Sequence, residues 1–259
     1  MTDLFPHKLP PIIKTLIWGS ETWFEATPLL IKFIDAKQDL SVQVHPDDEY
    51  AALHENKPGK TEMWYIVDSA PGAKIAAGLT NAFTREEVRH AVEAGTLETM
   101  LNYIEVNPGD VFLITPGTIH AIGAGILLAE IQVNSDVTYR LYDYNRVGAD
   151  GKHRELHVEK SLDVYKQTII PPSAIKKSDA FILGCEYFQV QKAFLTVSTG
   201  VYSIDSESAV SVLCVEGCGN ISHNSSAYAF RSGDCYLIPA GTGKIVLTGN
   251  AELLIAINK

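Results

Sequence analysis

Two histidines, a glutamate and a glutamine could hold a metal ion, although the segments around them are mostly apolar. Gln43 and His45 share a Gln-Val-His-Pro motif, Glu62 follows Lys-Thr, and His120 ends a Gly-Thr-Ile-His motif. Imidazole nitrogens, a carboxylate and a neutral oxygen donor suit zinc or a similar borderline metal, and no thiolate is needed. The sequence therefore predicts a metal centre with His45, Glu62 and His120 as ligands and Gln43 as the fourth.

The local pattern supports these assignments to different degrees. Ser41, Gln43 and His45 alternate along a predicted strand, so their side chains share one face. Glu62 precedes the apolar run 63–67, where an unpaired carboxylate would be costly to bury and a metal would compensate its charge. Gln43 is the weakest candidate because amides are poor zinc ligands, and the alternative is a hydrogen bond to substrate.

Most of the chain that must position these residues has the pattern of β-strands. Short runs rich in β-branched and aromatic residues, separated by Gly and Pro, are typical of strands. We predict strands at 29–36, 63–67, 110–114 and 127–133. The fold class is therefore mainly β.

Helices are expected only as short insertions. Thr84 and Glu87 form a capping-box sequence, and the apolar pattern that follows is interrupted near Gly95, which predicts two short helices between strands. A further helix is predicted at about 156–164. The stretch Pro171-Pro172 after it is interpreted as a linker.

An internal repeat indicates two similar β-rich barrels or sandwiches. Residues 108–120 align without gaps with residues 232–244 and share Gly, Asp, Leu, Ile and Thr positions. The second copy has Lys244 where the first has His120, and Val210 lies near the place that corresponds to Glu62.

We therefore predict two domains. Residues 1–168 form a metal-binding catalytic domain with a helical insert, and residues 169–259 form a degenerate domain that keeps the fold and has lost the metal.

Composition narrows the range of partners. The 259-residue chain has a formal net charge of −10 at pH 7, which argues against nucleic acid because phosphate contacts need a basic surface. It has no apolar run of about 18 residues and no basic-then-apolar leader, so neither a membrane span nor a signal peptide is expected. We expect a cytoplasmic protein that is a monomer or a weak homodimer.

Four cysteines lie in the last third of the chain, and we interpret them as reduced thiols. A metal site formed by Cys214, Cys218 and Cys235 is the alternative, but it lacks a paired Cys-x-x-Cys spacing.

Several motifs together resemble a known family. The segment from Gly109 to His120 is close to the second motif of the cupins, whose first motif places Glu soon after His. Here Glu62 is displaced 17 residues beyond His45, and this spacing resembles the type I mannose-6-phosphate isomerases in their short bacterial form. Ile17-Trp18-Gly19 and the segment 130–146 also resemble elements of that family.

The resemblance implies a fold and an activity. It implies two cupin-like β-barrels of the jelly-roll type, one Zn²⁺ per chain, and a sugar phosphate as the small-molecule partner. The implied reaction interconverts mannose 6-phosphate and fructose 6-phosphate through an enediol, moving a proton between C1 and C2. A metal can stabilise oxygen charge in such a reaction, and a positioned base must carry the proton.

The resemblance also suggests roles for residues outside the metal centre. Arg140 matches the family's catalytic arginine, which would act electrostatically because a guanidinium is no base at neutral pH. Its alternative role is a salt bridge with an aspartate. Lys60 is a candidate proton shuttle or phosphate contact. The candidate substrate-binding residues are Ser41, Glu130 and Asp136, and Arg146 and Lys152 are looser phosphate candidates.

Two other functions remain open from the residues alone. His45, Glu62 and His120 could also form the 2-His-1-carboxylate iron site of a cupin oxidoreductase. The second alternative is a non-catalytic cupin that binds a sugar phosphate. Oxygen uptake would identify the first, and binding without turnover would identify the second.

Overall fold

The structure is a computed structural model that describes residues 4–26, 28–148, 151–167, 182–196, 202–204 and 207–259. The strands in chain order are β1 (His7–Lys8), β2 (Ile12–Leu16), β3 (Gly19–Ala26), β4 (Leu29–Ala36), β5 (Val42–Val44), β6 (Glu62–Ser69), β7 (Lys74–Leu79), β8 (Leu101–Glu105), β9 (Val111–Ile114), β10 (His120–Ile122), β11 (Ile126–Val133), β12 (Tyr139–Tyr142), β13 (Ile182–Gly184), β14 (Phe188–Leu195), β15 (Tyr202–Ile204), β16 (Val210–His223), β17 (Ser226–Arg231), β18 (Cys235–Ile238) and β19 (Ile245–Asn258). The helices are α1 (Asp48–Glu55), α2 (Arg85–Glu93), α3 (Val158–Val164) and a 3₁₀ helix (Leu97–Met100). Among the described residues, no helix is both long and apolar enough to span a bilayer.

The chain divides into two compact units. One comprises 13–23 and 30–176, and the other comprises 1–12, 24–29 and 177–259. The predicted linker at Pro171-Pro172 and the predicted domain boundary at 168/169 lie outside the described residues.

The unit that contains the candidate ligands is built on two antiparallel sheets. The five-stranded sheet has the order β12-β5-β10-β7-β8, and the six-stranded sheet has the order β2-β3-β4-β11-β6-β9. One core, which includes Trp64, Phe112 and Ile75, lies between the sheets. A second core packs the other face of the five-stranded sheet against α2 and α3 through residues such as Val88 and Leu162.

The period-2 alternation of the strands decides which residues face the space between the sheets. In β6, Trp64 and Ile66 belong to the core between the sheets, so Glu62 lies on the same face. In β5, Val42 and Val44 belong to the helix-side core, so Gln43 points the other way, between the sheets. Glu62 and Gln43 therefore both face the space between the sheets, and Glu62 lies in line with apolar core residues of its strand.

The helices match the predicted signals with small differences. Thr84 and Glu87 form both hydrogen bonds of the capping box at the start of α2. The second inserted helix is a short 3₁₀ helix, and α3 begins at Val158 rather than near residue 156. Helix α1 was not predicted, although Asp47 caps it by accepting from the Tyr50 amide.

The other unit repeats a hydrogen-bonded turn of the first at an offset of 124 residues. Asn107 N–H donates to Asp110 Oδ2 (2.8 Å), and Arg231 N–H donates to Asp234 Oδ2 (3.1 Å). The strands that follow, β9 and β18, coincide at this offset. Gly109 and Gly233 at these turns have φ of 92° and 86°, which favours glycine. The internal repeat seen in the sequence is thus confirmed.

The fold class is mainly β, as expected, but the sheets that the structure describes do not form closed barrels. Within the described residues, none of the three sheets closes on itself, and the third sheet has eight strands. Its main path is β1-β18-β16-β19-β14-β13, and its core includes Phe230, Leu247 and Leu253.

Candidate metal centre and active site

Three of the predicted metal ligands converge at one end of the space between the two sheets. Glu62 opens β6 in the six-stranded sheet, His120 opens β10 in the five-stranded sheet, and His45 follows β5. One potential ligand atom from each lies within 4.8 Å of the others, and all three residues are fully buried. His120 pairs with Gln43 across β5 and β10, which brings the fourth candidate to the same place.

Hydrogen bonds at the backs of the two imidazoles aim their other nitrogens at the centre. His45 Nδ1 donates to Val137 O (3.0 Å), and His120 Nδ1 donates to Thr118 O (2.8 Å). Each ring therefore presents an Nε2 lone pair, the tautomer that a metal requires. These Nε2 atoms lie 3.5 and 3.3 Å from Glu62 oxygens.

The atoms that face the centre are acceptors. Gln43 donates to His120 Nε2 and Lys60 pairs with Glu62 Oε2. His45 Nε2 is buried, and no donor reaches it among the described groups. Lone pairs of imidazole nitrogens and a carboxylate repel one another at such distances unless a cation lies among them. This group of electron-pair donor atoms therefore fits a metal ion, and nitrogen and oxygen ligands suit zinc.

Burial keeps both histidines neutral. Burial and, secondarily, Lys60 lower the pKa of His45 to about 3, and burial lowers the pKa of His120. Burial alone would raise the pKa of Glu62, but the Lys60 ammonium outweighs this and holds it well below its ordinary value. Neutral imidazoles and an ionised carboxylate are the protonation states in which these groups bind metals.

Gln43 contacts the centre in a different orientation from that of a ligand. Its amide nitrogen donates to His120 Nε2 at 3.2 Å, so the amide oxygen faces away from that nitrogen. A half-turn of the amide would present the oxygen instead. The role of Gln43 as fourth ligand therefore stays a prediction.

Lys60 lies beside the centre. Its Nζ is 2.8 Å from Glu62 Oε2, and its side chain is 5% exposed. Burial lowers the pKa of Lys60, but Glu62 and Glu130 outweigh this and raise it above its ordinary value. Lys60 is therefore an ammonium at neutral pH and starts as a proton donor.

Arg140 is aligned with Gln43 across β12 and β5, so both side chains lie on the face between the sheets. Its Nη1 donates to Glu155 O (2.8 Å), and its Nε is buried without a partner. The alternative salt bridge with an aspartate does not form, because Asp136 pairs with Lys57 and Asp143 pairs with other arginines.

Beside the centre lies a cavity of about 300 Å³ that is lined by charged and aromatic side chains. The lining includes Gln43 and Lys60 next to the ligands, Ser41, Glu130, Asp136 and Arg140 among the other sequence candidates, and Lys14, Trp23, Lys32 and Arg154. The cavity therefore brings together the predicted catalytic and substrate-binding residues.

Glu130 is held rigidly in the cavity wall. Lys32 Nζ donates to Glu130 Oε1 (2.7 Å), and Trp64 Nε1 donates to Glu130 Oε2 (2.9 Å). Lys32 also donates to Gln132 Oε1 (2.6 Å). By contrast, Asp136 lies at the solvent side, with 63% of its side chain exposed.

Several residues of this cavity were missed by sequence reasoning, among them Lys32 and Arg154. Lys32 lies on the same strand face as Ile34 and Ala36, so a lysine in a buried row was its signal. Arg154 lies in a charged loop that gives no such signal. The looser candidate Arg146 lines a separate, smaller pocket.

The fold and this site define a metal-binding enzyme of the cupin class. A family model described as "Phosphomannose isomerase type I, catalytic domain" matches residues 13–76, and one described as "Mannose-6-phosphate isomerase, cupin domain" matches residues 177–258.

Curated relatives and solved structures agree with these matches. The chain is 44% identical over 237 residues to mannose-6-phosphate isomerase ManA of Bacillus subtilis, covering 88% of this chain and 74% of the relative. It is 38% identical to the Streptococcus mutans mannose-6-phosphate isomerase, covering 88% and 73%. A mannose 6-phosphate isomerase structure from Bacillus subtilis superposes with a TM-score of 0.85 at 28% identity, covering 97% of this chain and 99% of that one.

A zinc-bound mannose 6-phosphate isomerase structure shares the fold at 13% identity, with a TM-score of 0.73, covering 98% of this chain and 99% of that one. The chain belongs to the mannose-6-phosphate isomerase family.

Proposed function

We propose that this chain interconverts mannose 6-phosphate and fructose 6-phosphate through an enediol, with one Zn²⁺ per chain as cofactor. The observation that carries the proposal is the buried His45–Glu62–His120 cluster, which contacts Gln43 and Lys60 of a cavity that Arg140 also lines. The membership of the chain in the isomerase family agrees with this arrangement.

His45, Glu62 and His120 would hold the metal, with Gln43 as the fourth ligand. When bound, the metal supplies Lewis acidity toward oxygens of the sugar. The backbone carbonyls of Val137 and Thr118 fix the orientation of the two imidazoles, and such fixed partners typically raise metal affinity 10–100-fold.

Arg140 supplies fixed positive charge on the same face. Its guanidinium is held by the carbonyl of Glu155 and keeps N–H groups for the substrate. As the C1 and C2 oxygens gain negative charge during proton transfer, a preorganised cation lowers the barrier because it needs no reorganisation. Removing one such donor commonly costs 10²–10³-fold in rate.

Lys60 and Glu130 provide groups that hold or move protons. Protonated Lys60 can donate to an oxygen of the sugar and take the proton back in the reverse direction. Glu130, fixed by Lys32 and Trp64, can accept a hydrogen bond from a sugar hydroxyl. Ser41 and Asp136, which also line the cavity, complete the proposed substrate contacts.

A coupled assay for fructose 6-phosphate formation from mannose 6-phosphate tests the proposal. Turnover should disappear after treatment with a chelator and return with added Zn²⁺. Purified, metal-loaded protein that shows no turnover would contradict the isomerase function. A titration to one bound zinc per chain tests the stoichiometry.

A further inference from the structure

The cavity wall contains two guanidinium groups and hydroxyl groups. Arg140, Arg154, Ser41 and Thr138 all line this wall. Guanidinium groups and hydroxyls are the usual side-chain partners of phosphate.

The charge around the two arginines is not balanced. Asp143 is the carboxylate that pairs with Arg154, and it is shared with Arg146, whose Nη2 lies 2.8 Å from Asp143 Oδ1. Arg140 donates to a neutral carbonyl and has a buried Nε without a partner. Burial and then Arg154 lower the pKa of Arg140, so the two guanidinium groups repel each other. An anion near both would relieve this repulsion.

The other cations of the cavity contact carboxylates or an aromatic ring. Lys60 pairs with Glu62 at 2.8 Å, and Lys32 pairs with Glu130 at 2.7 Å. Lys14 lies 3.0 Å from the centre of the Trp23 ring, at the end of the cavity formed by β2 and β3. Lys32 and Lys60 are therefore balanced by carboxylates, whereas Arg140 and Lys14 have no carboxylate partner among the described residues.

Asp143 also fixes the direction of Arg154. Arg154 Nε donates to Asp143 Oδ2 (2.7 Å) and Nη2 donates to Oδ1, so the pair is bidentate. This geometry immobilises the guanidinium and leaves the Nη1 edge for another acceptor. Little side-chain entropy would then be lost when an anion binds.

We infer that Arg154 binds the phosphate of the sugar phosphate, close enough to Arg140 for the anion to relieve the repulsion between the two guanidinium groups, and that Asp143 positions Arg154 for this task. The inference rests on the proposed function for the identity of the sugar. It names a residue from the loop before α3 that neither the metal centre nor proton transfer requires.

The test is calorimetric binding of fructose 6-phosphate to zinc-loaded protein, together with the inhibition constant of inorganic phosphate. Arg154→Ala should weaken both by about 10- to 100-fold, the range for a charged hydrogen bond. Arg154→Lys, which keeps the charge but not the fork, should fall between this variant and wild type. Zinc content should be unchanged in both variants.

Arg146→Ala is the matched control, because Arg146 pairs with the same aspartate but does not line this cavity; it lines a smaller neighbouring pocket, whose wall Arg154 shares. It should leave the affinity for both ligands within about twofold of wild type. Equal losses in Arg146→Ala and Arg154→Ala would show general disruption of the loop and would overturn the inference. So would an unchanged Arg154→Ala, or a loss found in Lys14→Ala instead, which would place phosphate at the opposite end.

The outcome is separable from that of the proposed function. Phosphate binding that depends on Arg154, without isomerase turnover, would support the subsite and contradict the isomerase. Turnover with an unchanged KM in Arg154→Ala would support the isomerase and contradict the subsite.

Discussion

Glu62 and Val210 occupy the same position in two different sheets. Glu62 pairs with Ile114 of β9, and Val210 pairs with Ile238 of β18, the residue 124 positions later. The repeat therefore contains its own comparison, in which one copy has a buried carboxylate and the other has an isopropyl group. The fold itself does not require Glu62, and its presence must be explained by the metal and by Lys60.

Replacing Glu62 by the residue of the other copy should separate these two explanations. Glu62→Val should abolish zinc binding and also destabilise the metal-free protein by roughly 3–5 kcal/mol, because it leaves the ammonium of Lys60 buried without its partner. The double variant Lys60→Met/Glu62→Val should recover most of that stability. Urea unfolding of the metal-free proteins measures both effects, and a double variant no more stable than Glu62→Val would refute the explanation.

His120 and Arg140 should separate metal binding from chemistry. His120→Ala removes a ligand, so zinc content and activity should fall together. Arg140→Ala should keep zinc and lose about 10²–10³-fold in kcat, because Arg140 contacts no metal ligand through its guanidinium. Metal analysis and the coupled assay on the same preparations test this, and equal zinc loss in both variants would contradict the division of roles.

Zinc should also stabilise the fold. Because its ligands come from both sheets, it binds the folded state and not the unfolded chain. With free zinc 1,000-fold above its Kd, the expected stabilisation is about 4 kcal/mol. Thermal unfolding with chelator, and again after zinc is restored, measures this. A melting temperature that does not change with zinc would contradict the assignment of the site.

His157 should give the protein an acid-sensitive contact next to Arg140. His157 Nδ1 accepts a hydrogen bond from the Arg140 backbone N–H (3.1 Å), and only neutral imidazole can do so. Burial, opposed by Glu155 and Glu55 and aided by Arg140 and Lys160, lowers the pKa of His157 below its usual 6.5. Since the unfolded chain then binds the proton more readily, stability should fall as pH drops below about 6.5 toward the folded-state pKa.

His157→Gln offers an acceptor that does not titrate. The loss of urea stability between pH 7.5 and 5.5, measured without metal, should be smaller in this variant than in wild type. His153→Ala is a suitable control, because His153 Nδ1 contacts Arg146 O rather than Arg140. An identical pH dependence in wild type and His157→Gln would contradict the prediction.

Features that depend on a few neighbouring residues could be predicted from the sequence. The capping box at Thr84 and the strand at 29–36 each had a local signal, and the structure confirms them. The two candidate ligand histidines also had local signals, and the structure brings them together with Glu62. Glu62 could be recognised because a carboxylate next to an apolar run requires a reason.

Arg154 could not be found in this way, because its role depends on contacts that no local sequence pattern shows. It lies in a charged loop, pairs with Asp143, which is 11 residues earlier, and lines the cavity. Helix α1 was also missed, because it buries only Ala51 and so has no apolar stripe. The sheet pairings that bring His120 beside Gln43 likewise depend on contacts between distant segments.

The proposed metal ligands come from opposite layers of one sandwich, Glu62 from one sheet and His120 from the other. A bound ion would therefore act as a removable cross-link between these layers, placed where the apolar core ends. When metal is scarce, the sandwich would keep its core, but its polar end would open more often. Amide protons at the starts of β6 and β10 should then exchange with solvent before those deeper in the same strands. The exchange rates at these strand ends would therefore report how much of the protein has metal bound.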